Sequence, residues 1–182
     1  MALHQRHQIR HAAKAALLNQ TIAEDRVEAT RKVPWRPSEL PALAIYTLEE
    51  TVAPASVETA PRELERRLQL ALEGAVRVDA AVDDALDAFA VEIERAIHAD
   101  DTLGGTASDA VLEGTEVLGP FADGDQLVAV IRLTYGVTYY TYAPEAGDDD
   151  LDDFKTADVH YDLKGEQEPA NQAEDLVEDL DA

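Results

Sequence analysis

The sequence has no cysteine among its 182 residues, which removes disulfides, thiolate zinc sites, iron–sulfur clusters and cysteine nucleophiles together. It also lacks any apolar run near the ~18 residues that a membrane-spanning helix needs, although 46% of the chain is hydrophobic. No signal-like apolar stretch stands at the N-terminus, so a soluble protein without an export signal is expected. Basic residues are scarce: 15 Lys and Arg stand against 38 Asp and Glu, for a net charge of −23. A surface that acidic is unsuited to nonspecific binding of nucleic-acid phosphates or of an anionic membrane. The length fits one domain, with or without a tail, and is enough to bury a core. There is no repeat at solenoid periods.

The charge that is present is unevenly placed. Residues 1–37 carry seven basic and three acidic side chains, residues 38–144 six and twenty, and residues 145–182 two and fifteen. The last stretch is too acidic and too poor in aromatics to pack a core, and reads as a mostly flexible extension, residues 144–182, after a folded domain at 1–143. Its one exception is 154–163, where β-branched and aromatic residues predict a strand at the edge of the domain's sheet.

Periodicity supplies the elements. Ile9, Ala12, Ala13 and Ala16 share one arc of a helix over 4–20, with His4, Arg6, His7, Arg10, His11 and Lys14 on the opposite arc. Pro34 and Pro37 around Trp35 end any helix, and 41–48 reads as a buried strand. Glu49 to Pro61, with Pro54, Pro61 and little periodicity, predicts a long connection. Residues 62–75 alternate with period two, whereas Val82, Leu86, Phe89, Ile93 and Ile97 step by three or four and predict the clearest helix, over 78–99, ending near Leu103-Gly104-Gly105. Strands follow at 111–117 and 126–142, joined through Gly119–Asp125, whose Asp123-Gly124 pair is a hairpin signal. The fold class that results is α+β: an antiparallel or mixed sheet with one long helix packed on it, an N-terminal helix and the acidic extension.

No constellation carries chemistry. His7 and His11 have the i, i+4 spacing of helical zinc ligands, but Gln8 stands where a zinc protease needs its general-base Glu, so a polar helix face is the better reading. Asp148–Asp153 lacks the glycine and the late glutamate of a calcium loop. Gly104-Gly105 is too short to cradle a phosphate, and no nucleophile elbow is present. Tyr135, Tyr139, Tyr140 and Tyr142 suit sheet packing better than base stacking, because no cationic groove surrounds them. No catalytic residue, metal ligand or cofactor is expected.

The succession of Arg62–Leu70 as a strand, Asp84–Glu94 as a helix, Asp101–Gly105 as its exit, then Leu112–Glu116 and Val130–Tyr139 resembles the tail terminator, or minor tail protein U, family of long-tailed bacteriophages, over roughly residues 1–143. The resemblance implies a structural virion protein that forms a ring, typically a hexamer, on the head-proximal end of the tail tube. Such a ring stops tube polymerisation and offers the head-joining surface. Its implied partners are further copies of itself, the tail tube protein and a head-completion or connector protein. No membrane and no specific nucleic-acid contact is implied beyond DNA passing through, and the places are the virion neck and, during assembly, the host cytoplasm. The charge asymmetry nominates the basic helix face, Arg6, Arg10 and Lys14, and reach nominates the long connection, Glu49, Glu50, Thr51, Val52, Pro54, Ser56 and Glu58, as subunit or tube contacts. Two other readings remain open: a related head–tail joining protein, and an acidic DNA mimic that occupies a DNA-binding enzyme.

Overall fold

Ile9, Ala13 and Leu17 recur at steps of four, and in the computed structural model they form the buried stripe of helix α1 (Gln5–Leu17). The structure describes residues 4–30, 35, 37–55, 62–78, 80–123, 126–142, 156–159 and 175–178. After α1 come a two-residue strand β1 (Val27–Glu28), a single 3-10 turn (Pro37–Glu39), β2 (Ala42–Pro54), β3 (Glu63–Arg77), α2 (Val82–Ile97), β4 (Asp109–Asp123) and β5 (Gln126–Tyr142). Two units divide the chain, Met1–Ala143 and Pro144–Ala182.

The first unit is α+β, with a five-stranded sheet in the order β1-β2-β3-β5-β4 and two helices. The sheet is mixed, because β1 pairs parallel with β2 at Leu43 and Ala44 while the other ladders are antiparallel. A strand of two residues has no alternation to read, which is why β1 is invisible in the sequence. Alternation along the long strands splits the core. Leu43, Ile45, Leu68, Leu70, Leu72, Ile131, Leu133 and Tyr135 join α1 and α2 in one cluster, and Ala42, Ala44, Tyr46, Ala71, Ala75 and Val128 pack with Trp35 and Leu40 on the other face.

The predicted connection from Glu49 to Pro61 is corrected over Glu49 to Pro54, and residues 56–61 lie outside the described residues. Strand β2 runs on to Pro54 and pairs with β3 up to Leu64. One extra residue is inserted between Thr47 and Glu50, so Thr47 lies opposite Leu70 and Glu50 opposite Leu68. That bulge shifts the side-chain alternation by one, erasing the period-two signal. Likewise β4 extends to Asp123 through irregularities at Leu112/Gly114 and Leu118/Phe121, the second of which accommodates Pro120 on an end strand.

At about 3.4 Å per residue, β5 with its 17 residues is roughly 55 Å long, whereas α2 with 16 residues is about 24 Å. The strands therefore outrun their helical cover. Val52, Val117, Leu127 and Tyr142 are exposed. Exit from α2 is fixed by Asp100, whose carboxylate accepts from Thr102 Oγ1 at 2.6 Å, Gly104 N at 2.8 Å and Thr102 N at 2.9 Å, and these bonds, the Thr102 hydroxyl first, hold its pKa below the usual range. Leu103, Gly104 and Gly105 then turn in the left-handed region.

In the second unit, β6 (Thr156–Val159) pairs antiparallel with β7 (Asp175–Glu178). Within the strand predicted at 154–163, β6 has its partner in the acidic stretch itself, where Leu176 and Val177 stand opposite Asp158 and Ala157. The rest of 144–182 lies outside the described residues. No helix among the described residues is long and apolar enough to cross a membrane.

Candidate functional site

The cations of α1 are not equivalent. Arg6 is exposed and donates Nε to His4 Nδ1 at 3.3 Å, while His4 caps the helix by accepting from the Arg6 backbone N–H. Lys14 Nζ stands 3.6 Å from Glu28 on β1, an exposed pair of small energetic weight. Arg10 is half-buried, and its Nε is shut off from solvent with no hydrogen-bond partner among the described residues. His7 and His11 stack with ring centroids 4.1 Å apart. Burial, then His7, Arg10 and Lys14, push His11 below its ordinary pKa. Among the described residues no group of three or more His, Cys, Asp or Glu is placed to hold a metal ion.

Glu49, Glu50, Thr51, Val52 and Pro54, nominated as a loop, are strand residues with two different fates. Glu49, Thr51, Val52 and Pro54 are exposed. Glu50 is turned inward by the bulge: its side chain is 10% exposed, Arg66 Nη1 lies 2.9 Å away, and the Tyr139 hydroxyl donates to its other oxygen. Arg66 also donates Nε to Thr141 Oγ1 at 2.8 Å, so one network ties β2, β3 and β5. Burial and the Glu50 carboxylate raise the Tyr139 pKa, while the charges of Arg66 and Arg6 oppose the rise, which places the start of α1 within electrostatic reach of this network. Glu50 is therefore a brace within the subunit. Ser56 and Glu58 lie outside the described residues.

On the opposite face the structure shows a network that the sequence does not reveal. Arg132 Nε donates to Glu73 at 2.7 Å, Tyr46 donates to the same carboxylate oxygen, and Glu116 lies 3.4 Å from Arg132. Beside it Arg67 pairs with Glu113 across Gly136, where a Cβ would come within 3.1 Å of Arg67 Nη2 and closer still to the Glu113 carboxylate. These partners are far apart in sequence and meet only through strand register. Glu50 and Glu73 are each held by an arginine and a tyrosine, an arrangement that braces neighbouring strands.

Burial, followed by Glu73, pushes Tyr46 from an ordinary pKa of 10.0 to about 12. The folded protein holds this proton more tightly than the unfolded chain, so its stabilising share is complete below pH 10 and is lost as pH rises towards 12. Ultraviolet titration of phenolate should show Tyr46→Phe removing a late-ionising hydroxyl. A Tyr46 signal that completes near pH 10 would contradict the enclosed network.

Compared with known proteins, the chain matches no family model and no curated relative.

Proposed function

We propose that this chain is a ring-forming structural protein of a long-tailed bacteriophage, seated at the head-proximal end of the tail tube, where it ends tube growth and presents the head-joining surface. Six copies per ring, and contacts with the tube protein and a head-completion or connector protein, are what the resemblance implies.

The observation that carries the reading is the sheet with two unlike sides. Strand β4 is the end strand on one side, and on the other β1 meets β2 only at Leu43 and Ala44 among the described residues. Head-to-tail contacts join unlike surfaces and close into rings when the rotation permits. Charge is unevenly placed as well, with Arg6, Arg10 and Lys14 on α1 and Asp109, Glu113 and Glu116 on β4. Exposed Val111, Val117 and Phe121 add apolar area along β4. Salt should weaken the charged contribution and spare the apolar one.

Electron microscopy of tubes assembled with the protein tests this. The native chain should give ring density at one tube end and regulated lengths. A variant with Arg6, Arg10 and Lys14 all changed to Glu should fold, by circular dichroism, and fail to cap. Unregulated tubes with the native protein would overturn the reading.

A further inference from the structure

Strand β4 is a 15-residue end strand, and from Val111 to Phe121 every residue of it is half-exposed or exposed. The outer side of such a strand presents unpaired backbone N–H and C=O groups, which natural proteins often guard with lysine, and β4 holds neither lysine nor arginine. On the other side of the sheet β1 covers β2 only at Leu43 and Ala44, so from Leu48 to Pro54 the outer edge of β2 has no strand beside it among the described residues. Three antiparallel steps, β2 to β3, β3 to β5 and β5 to β4, make β4 run opposite to β2. A second copy in the same orientation therefore brings its β4 to this β2 as an antiparallel neighbour, without being turned over.

We infer that β4 of one copy pairs with the Leu48–Pro54 edge of β2 in the next, continuing one sheet across subunits. This deepens the ring reading and rests on it for the head-to-tail order. One register suits both edges. With Val52 opposite Val117, Leu48 meets Phe121, and these exposed side chains form two apolar cross-strand pairs. Val52 and Val117 point to the same face: Val52 stands opposite Arg66, Arg66 opposite Tyr139 and Val117 opposite Ile131, and Tyr139 and Ile131 share one core cluster. The same register sets the extra residue of β2, between Thr47 and Glu50, against the irregularity of β4 between Leu118 and Phe121, so the two strands stay in step. Charge is compatible too, because Glu49 falls opposite Pro120 and Glu116 opposite Ala53. Pairing β4 with its own copy would instead set the acidic row Asp109, Glu113 and Glu116 alongside its like. At its far end β4 stops at Asp123, opposite Tyr46 and short of the stretch that β1 covers.

The chain has no cysteine, so single cysteines placed on the two edges report the ladder. Full-length Val52→Cys and Val117→Cys proteins, mixed at micromolar to millimolar concentration and oxidised with glutathione disulfide, should form a disulfide-linked heterodimer. Within one chain the two positions lie three strand spacings apart, about 14 Å, which no disulfide spans. Val52→Cys mixed with Leu118→Cys, whose side chain turns to the other face, should give about tenfold less of the linked product. In the otherwise native chain, Val117→Lys should weaken self-association about tenfold by sedimentation, with an unaltered circular dichroism spectrum, because a lysine guards the edge. Equal yields from the Val117 and Leu118 partners would mean random collision and overturn the ladder, as would the absence of heterodimer at millimolar protein. Val117→Cys linking to itself in preference to Val52→Cys would assign the edge to a two-fold pair and overturn the head-to-tail order. Failure to cap tubes by a protein that forms the ladder would count against the terminator role alone. Capping by a protein that never links Val52→Cys to Val117→Cys would overturn the ladder and leave that role standing.

Discussion

Phe89→Ala is expected to destabilise the Met1–Ala143 unit by about 3–5 kcal/mol, the range for removing a fully enclosed aromatic ring. Phe89 is 0% exposed and sits on β3, where a Cβ on Gly74 would approach its Cε1 to 2.6 Å. Gly74 is thus the floor on which the ring rests. Adding a methyl from below should also be harmful, and Gly74→Ala should cost about 1–3 kcal/mol through overpacking. Combining the two changes should cost less than their sum, because the alanine at 89 vacates the space that the new methyl enters. Urea unfolding of the four proteins measures all three quantities. A loss below about 1 kcal/mol for Phe89→Ala, the scale of a surface change, would mean that α2 does not pack on the sheet as described.

Glu50→Ala should rival it, at about 3–5 kcal/mol, because it strands Arg66 and removes the acceptor of the Tyr139 hydroxyl. The side chains of Glu50 and Arg66 are only 10% and 16% exposed, so water reaches neither well enough to replace the lost partner. Replacing both at once, Glu50→Met with Arg66→Leu, should recover most of the loss, since apolar groups of similar volume need no partners. Equal unfolding midpoints for the native and Glu50→Ala proteins would show the network to be solvated in solution.

Legibility in the sequence followed how each element announces itself. Helix α2 and strand β5 carry one uninterrupted period each, so their existence and buried faces were readable from Leu86 to Ile97 and from Ala129 to Tyr139. Strand β2 failed halfway because the single inserted residue before Glu50 moved the next side chains to the opposite faces, and Pro54 completed the disguise. In β4, Gly119 and Pro120 look like a turn, yet an end strand tolerates them at an irregularity. The nominated contact residues fared unevenly for a related reason. A helical wheel assigns Arg10 to the polar arc, but whether that arc meets water depends on its neighbours from elsewhere in the chain, Thr30 and Tyr46 and Thr47 of β2 among them. Glu50 and Arg66 look like ordinary surface charges until register sets them side by side.

Strand β3 lies between β2, which precedes it, and β5, which is the last strand of the sheet to be made. As the chain leaves a ribosome, β2 and β3 can form a hairpin at once, but Leu68, Leu70 and Leu72 then face open water until α2 covers them and β5 completes the ladder. At about 5–20 residues per second that interval lasts several seconds. Such an exposed apolar row is prone to pair with its like on a neighbouring nascent chain, and long-range pairing of this kind makes folding slow. A chaperone at that stage should therefore raise the yield of usable protein more than any change to its finished surface.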